Sequence, residues 1–510
     1  MVSNNINRVA INTVIQYVQL ILNVVIGLFS VRLILNALGA SDYGIYDLIA
    51  GVVGLLMFIS TSLSQTSMRY LSVSLGKHDD NNTSKVFSTC LWLHIYIALI
   101  LSLLLIACSF FLFNGFLKIE PDRIEVAKAL YYFMVFDLFL HITLTPFSAL
   151  LAAHEKFIYI SCVQILDSVL KLVIALILVS CTYDKLLVYG ILMVGVTVIN
   201  FLLYTGYCIT RYRKQISFAK ASVDEMKDVT GFAGWTLLDV AGTVATRQGY
   251  AIMLNSFFGT VVNAVFALSR QVEGHLYTVS ASVINTMKPQ IMKSQGEGDS
   301  ERMFRLSLTA GKFGFSMMSL VAIPLLVMMP EVLTLWLKNV PEGTVLFTRL
   351  MVAACMCEQL TRGLVYANQA VGNIKWFSIT ISAIRFAALP ISWICFKLGA
   401  PAYVAIVVFL ICETIGSLSR VFVLSKIADF QPSNFFKSVM LQLIPPFVLS
   451  IIVAEILYSF ISGIWGILLI CAVSDFVFIL VMGLWGLTND ERNAINSVVQ
   501  SIKNKIGYVR

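Results

Sequence analysis

Apolar runs of about 20 residues or more follow one another along the chain, parted by short polar stretches. A helix of about 20 apolar residues crosses a bilayer core, because no water is present there to satisfy backbone N–H and C=O groups. The pattern predicts fourteen such spans: Val9 to Leu38, Tyr43 to Met68, Val86 to Phe113, Val126 to Leu151, Ile158 to Cys181, Leu186 to Ile209, Val229 to Phe257, Thr260 to Met287, Phe304 to Leu337, Val345 to Ala370, Trp376 to Phe396, Pro401 to Leu424, Phe436 to Ile461 and Ile464 to Leu487. The ninth is long, and Pro324 and Pro330 mark it for a kink. The first exceeds a signal-peptide core and reads as a retained helix.

One polar stretch occurs twice. SLGKHDDNNTSK, from Ser74 to Lys85, returns as SQGEGDSERMFR, from Ser294 to Arg305. A shift of 219 to 220 residues also sets Leu35-Asn36 on Leu254-Asn255, Ser60 on Ser280, Ser62 on Ser282, Thr66 on Thr286, Gly76 on Gly296, Asp79 on Asp299 and Lys85 on Arg305. Helices seven onward therefore repeat helices one onward, each polar stretch joining the second and third helix of its copy. Six helices separate the copies, so both enter the membrane in the same direction and are related by an axis along its normal. The expectation is an all-α polytopic membrane protein with a cleft between two lobes. Residues 1–213 form an N-lobe, 214–228 a cytoplasmic, surface-lying amphipathic linker, and 229–427 a C-lobe. Two extra helices over 428–487 and a cytoplasmic tail over 488–510 follow.

Composition agrees with this class: 58% of residues are hydrophobic, 13% are charged, and the mean hydropathy is +0.85, whereas soluble chains carry roughly 25% charge. Lysine and arginine concentrate in alternate loops, which puts both termini in the cytoplasm. Arg69, Lys288, Lys312 and Arg420 count with the cytoplasmic set, and Lys118, Arg123, Lys128, Lys185, Lys338 and Lys397 with the outside. The net charge of +8 thus reflects topology, not a nucleic-acid partner. TAGKFG at Thr309 to Gly314 lacks the glycine before it and the Ser or Thr after Lys312 that a phosphate loop needs. No compact catalytic motif stands out, and no cofactor is expected; a membrane enzyme using dispersed acids stays open at this point. The ten cysteines lie in or beside apolar spans and read as packing residues.

Polar positions inside the spans carry the candidate chemistry. In the first helix Asn12, Gln16, Gln19, Asn23 and Ser30 fall on one face. Stripes through Asp47, Ser62, Gln65 and Arg69, and through Thr236, Asp239, Thr243, Thr246 and Tyr250, repeat this in the second and seventh helices. They predict a water-filled cavity, with glue between helices as the competing reading. Charged residues at membrane depth are costly and mark function. Asp167 with Lys171, Glu358 with Arg362, and Arg270 with Glu273 can pair locally at helical spacing. Arg32, Arg247 and Arg385 have no carboxylate at such spacing. Guanidinium matches phosphate in bidentate geometry, so Arg32, Arg247, Arg270 and Arg385, with the amides Asn23 and Gln19, are the candidates for binding an anionic, phosphate-bearing substrate. Asp47, Asp239, Glu358 and Glu413 are candidates for a coupling proton or sodium ion, and Asp137 with His141 for a proton relay.

At LGASDYGIYDLI, Leu38 to Ile49, the chain resembles the polysaccharide-transporter branch of the multidrug, oligosaccharidyl-lipid and polysaccharide exporter superfamily. Asn7-Arg8, the glycine-tyrosine-glycine-like turn, the G-K-x-D hinge and fourteen spans extend the resemblance over essentially the whole chain. It implies flipping of undecaprenyl-diphosphate-linked oligosaccharide, for O-antigen or capsule, across a bacterial inner membrane by alternating access of two lobes. Membrane lipids and polysaccharide polymerase machinery would be the partners. The last two helices would shelter the polyprenyl tail, aided by a bend at Pro445-Pro446. In the similar lipid II flippases an acidic residue in the place of Asp239 joins a sodium site; here Thr380 and Ser382 stand where further ligands would be expected, without a carboxylate. The rival classes are a cation-coupled drug exporter and a membrane-embedded glycosyltransferase or polymerase.

Overall fold

The structure, a computed structural model, describes residues 2–54, 56–116, 119–219, 222–460, 464–488 and 491–493. Among them helix is the only extensive regular structure, as expected where each backbone donor must find its acceptor within its own segment. In chain order the helices are α1 (Val2–Gly54), α2 (Met57–Gly76), α3 (Asp80–Phe111), α4 (Ile124–Ala153), α5 (Phe157–Ser180), α6 (Lys185–Arg211), α7 (Val223–Gly296) and α8 (Ser300–Val327). There follow α9 (Met329–Leu337), α10 (Thr344–Leu360), α11 (Arg362–Val371), α12 (Lys375–Lys397), α13 (Val404–Ile427), α14 (Pro432–Phe435), α15 (Leu441–Phe460) and α16 (Ile464–Val481). They fall into two compact units, one within Val14–Val240 and the other within Met1–Thr13 and Ala241–Arg510.

The repeat is written into local backbone geometry. α1 is interrupted at Gly39, with φ 80°, and α7 at Gly259, with φ 83°; only glycine takes such angles without steric cost. α2 and α7 both stop at the glycines of the repeated stretch, Gly76 and Gly296. His78 and Gly298 then turn with positive φ. Asp79 accepts N–H groups from Asn81 and Asn82 to cap α3, and Asp299 accepts that of Arg302 to cap α8. Every one of these pairs lies at the shift of 220 residues read from the sequence.

Among the described residues eleven helices are long and apolar enough to cross a membrane, or twelve if the stretches Ser41–Gly54 and Met57–Gly76, bent by 45°, form one span. Fourteen spans were expected, and the difference from twelve has two sources. α7 counts once although Gly259 divides it, and the tenth expected span is two short helices, α10 and α11, meeting at Thr361. The long ninth span breaks as anticipated, α8 ending at Val327 and α9 restarting with Pro330 in its first turn.

The first unit buries its core under α3, α4 and α6, around Leu101, Leu130, Tyr131, Leu138 and Ile142. Among its described residues the linker is helical only in part. A short turn at Arg213–Gln215 leads into non-helical chain, and α7 starts at Val223. The carbonyl of Ala219 accepts hydrogen bonds from Ser88 and from the Trp92 indole, and Thr89 donates to Glu225 at 3.3 Å, so side chains of α3 tie the linker down.

In the second unit α15 and α16 pack on α8 through Ile323, Val327, Ala454, Ile470 and Phe478. The break expected at Pro445-Pro446 does not occur, since α15 runs through both prolines. Irregularity falls just upstream, in a π-helical turn at Phe436–Met440. Pro445 has no N–H for the carbonyl of Leu441, and the Trp485 indole donates to that oxygen instead, at 3.1 Å.

Three cations assigned to cytoplasmic loops are inside the second unit. Lys312 on α8 is 1% exposed and pairs with Glu491 at 2.5 Å. Lys288, 8% exposed, stands over the Tyr366 ring, and Arg420 is 1% exposed. Burial of each is offset by a partner that a count of loop charges cannot see.

Candidate functional site

The second unit gathers five arginines around three glutamates. Glu358, near the end of α10, accepts at one carboxylate oxygen from Arg362 at 2.7 Å, Arg385 at 3.4 Å and Arg420 at 3.4 Å. Arg385 of α12 also donates to Glu413 of α13 at 3.1 Å and to Thr243 of α7 at 2.8 Å. Arg420 reaches the helix break itself, donating to the Thr361 hydroxyl at 3.2 Å and the Glu358 carbonyl at 3.4 Å. An arginine at a helix end satisfies carbonyls that have lost their intrahelical donors. Arg362 donates to the Tyr277 hydroxyl at 2.5 Å. Just past the break, a Cβ on Gly363 would lie 1.9 Å from the carbonyl oxygen of Ser307, so glycine lets α11 lie against the backbone of α8 and fixes where the break stands.

Arg247 and Arg270 extend the cluster along α7. Arg247 donates to Glu273 at 2.8 Å, and Glu273 is buried with 5% of its side chain exposed. The sequence paired Arg270 with Glu273 at helical spacing, but Arg247 takes that carboxylate. Arg270 makes no hydrogen bond or ion pair with a described residue; its Nε is buried without a partner, and its guanidinium lies 5.8 Å from the Phe266 ring. The cluster holds two more guanidiniums than carboxylates, and its field favours an anion.

The other candidates lie elsewhere or do other work. Glu358 and Glu413 are occupied by arginines, and a carboxylate already facing three guanidiniums is a poor seat for a further cation. Arg247 and Arg385 are ion-paired, with carboxylates 26 and 28 residues away that lie beyond helical pairing distance in sequence. Gln19 donates to Gln164, and Asn23 accepts from Ser168 at 2.9 Å, so these amides join α1 to α5. Thr236 and Thr246 are buried and donate to carbonyls one turn back. Arg32 and Asp47 are exposed, and Asp239 is half-buried with a polar partner. Asp137 accepts from Thr197, and Asp167 pairs with Lys171 at 2.8 Å as its spacing predicts, accepting also from Asn200. Among the described residues no group of three or more His, Cys, Asp or Glu is arranged to hold a metal ion.

Sequence reasoning passed over Arg420 and Thr361. Arg420 stands two turns after Glu413 on the same helix, and that i, i+7 relation was the available signal.

Solved structures with this backbone arrangement include MATE transporters. One in a bent conformation has a TM-score of 0.72 at 12% identity, with 84% of this chain and 98% of that chain covered. An outward-facing multidrug resistance MATE family transporter of the MOP superfamily has a TM-score of 0.70 at 15% identity, covering 84% and 96%. A MOP superfamily transporter from Pyrococcus furiosus has a TM-score of 0.69 at 13% identity, covering 85% and 96%. At such identities the likeness establishes the fold alone: a MATE-like bundle of membrane-length helices. The family model described as "Polysaccharide biosynthesis protein" matches residues 7–295. That is more than half of the sequence, and the chain belongs to this family. No curated protein matches it at a significant level.

Proposed function

We propose that the protein flips an undecaprenyl-diphosphate-linked oligosaccharide from the inner to the outer face of a bacterial inner membrane, presenting its binding site to each side in turn. The observation that carries this reading is the arginine surplus of the second unit, and within it Arg270, a guanidinium with an unpaired Nε. A diphosphate would supply what Arg270 lacks, since two phosphates offer bidentate acceptors to a planar fork. The ion-paired arginines then serve to hold the cluster open and positively charged. Membership of the polysaccharide biosynthesis family supports a glycan on the lipid. Both termini would be cytoplasmic, and polysaccharide polymerase machinery would take up the product.

A cation-coupled drug exporter is the second reading, because a neighbour of the same fold is titled a multidrug resistance transporter. Another neighbour is titled as having a binding pocket of reversed polarity that suggests a different function. A positive cluster repels cationic drugs and favours the anionic lipid. The test is depletion of the protein followed by analysis of the lipid-linked saccharides left on the inner leaflet. A single polyprenyl-diphosphate oligosaccharide should accumulate, and Arg270→Gln should reproduce that accumulation with normal insertion, Arg270→Lys only in part. Unchanged lipid-linked pools, with altered resistance to cationic drugs, would favour the exporter.

A further inference from the structure

In the first unit a groove of about 950 Å³ runs between α3 and the opening turns of α7. We infer that it seats one resident anionic phospholipid, with an acyl chain along the groove and its phosphate at Lys227. The site belongs to neither the arginine cluster nor the last two helices.

The groove has a polar and an apolar end. From Ser222 to Leu238 it follows α7, and at 1.5 Å per residue this is about 24 Å, comparable with an acyl chain and headgroup. Ser222 and Lys227 line one end, and Tyr96, Trp235 and Leu238 the other. Gly231 and Gly234 form part of the floor. A Cβ at either would meet nothing within 4 Å, so the missing side chains keep open a channel that ordinary residues would fill. Trp92 makes part of the α3 wall and is fixed by its bond to the Ala219 carbonyl. An indole beside a helix start, as Trp92 is beside that of α7, is a usual anchor at a membrane boundary.

Charge selects the headgroup. Lys227 is exposed and among the described residues is the one charged side chain lining the groove; Asp224, Glu225 and Asp228 stand beside it on α7 but do not line it, and Glu225 is engaged by Thr89 of α3. A lysine at the mouth of an apolar channel complements a phosphate whose chain lies inside it. A partner helix would have to fill a smooth floor with side chains, whereas a flexible hydrocarbon fills it directly.

The test uses the purified full chain in detergent, titrated with phosphatidylglycerol carrying brominated acyl chains, which quench nearby tryptophan fluorescence. Phosphatidylcholine with the same chains is the control. Quenching should saturate at lower concentrations of phosphatidylglycerol, and W92F/W235F should remove that component. Gly234→Phe should abolish it by filling the channel. Lys227→Gln should weaken phosphatidylglycerol about five-fold, the effect of one lysine at an anionic lipid surface, and weaken phosphatidylcholine less, because its choline already offsets the same phosphate. If Gly234→Phe does not insert, the exposed Lys227 carries the test alone. Equal affinity for the two lipids in the wild type, or no effect of Lys227→Gln, would overturn the proposal. So would displacement of the brominated lipid by undecaprenyl diphosphate at lower concentration than by phosphatidylglycerol, since the groove would then serve the transported substrate.

Discussion

At the helix break at Thr361, a single carboxylate oxygen of Glu358 holds three guanidiniums from three helices, two of them almost wholly buried. Removing that charge leaves buried cations without compensation, which costs about 3–5 kcal/mol for a buried pair. Glu358→Gln should therefore lower the thermal unfolding midpoint in detergent more than Glu413→Gln, because Glu413 receives only Arg385 among the bonds described. Equal midpoints would remove Glu358 from the centre of the network. The Glu358–Arg362 pair was legible in the sequence because i, i+4 spacing fixes proximity on one helix. The contributions of Arg385 and Arg420 were not, because their approach depends on how α10, α12 and α13 pack. A second charge cluster yields a pH prediction. Arg123 binds Asp42 and, at 2.5 Å, Asp184, which also caps α6 through the Leu187 N–H. Burial raises the Asp184 carboxyl, but the hydrogen bond from Arg123 and those from the α6 backbone outweigh it and hold the group below the usual carboxylate range. A depressed pKa gives stability that is present above the unfolded value, about 3.9, and lost as pH falls through the folded value. Asp184→Asn should thus reduce the unfolding midpoint at neutral pH, with the gap to wild type closing on acidification below about pH 4. A gap independent of pH would show that the charge is not what stabilises this contact.

Whole elements depart from their simplest form where one atom lacks a partner or one side chain is missing. The hydrophobic pattern locates the apolar runs, but it says nothing of φ at Gly39 or Gly259, since a glycine within a helical pattern is compatible with either continuation or a break. In α15 the expectation went the other way: two prolines predicted a bend, and the helix persists. Proline disrupts a helix partly by orphaning the carbonyl four residues back, and here Trp485 donates to that oxygen on Leu441. The rescue comes from a residue 44 positions away and is invisible to local propensity. Trp485→Phe keeps a large aromatic ring and removes only the donor, so it should destabilise the packing of the last two helices by about 1 kcal/mol, the net worth of one hydrogen bond. Faster cleavage by a site-specific protease at a site inserted after Phe460 would register this loosening. Unchanged cleavage with Trp485→Phe, but faster cleavage with Trp485→Ala, would assign the role of Trp485 to ring packing.

On the scale of the whole molecule, the repeat was the most legible feature, because it rests on ordered matches over a long register and not on any single propensity. Backbone geometry extends it beyond the residues that match. His78 and Gly298 differ in type yet share a positive φ, and each precedes the aspartate that caps the next helix. Less legible was the fate of the charges, since Lys312 within α8 and Arg420 within α13 count with the loop cations until their partners are seen. Removing Lys288, Lys312 and Arg420 from the loop count weakens the positive bias that assigned the repeated stretches to the cytoplasm, but Arg302, Arg305, Lys77 and Lys85 remain in or beside them. The orientation can therefore be tested independently of that count. Asn81 and Ser300 are exposed positions just after the two capping aspartates. In a background without the ten native cysteines, a cysteine at either position should react with an impermeant thiol reagent only after the inner face is opened. If both react in intact cells, the topology is inverted while the parallel repeat stands. If one reacts from each side, an odd number of crossings separates them and the parallel arrangement fails, whatever the similarity of their local structure.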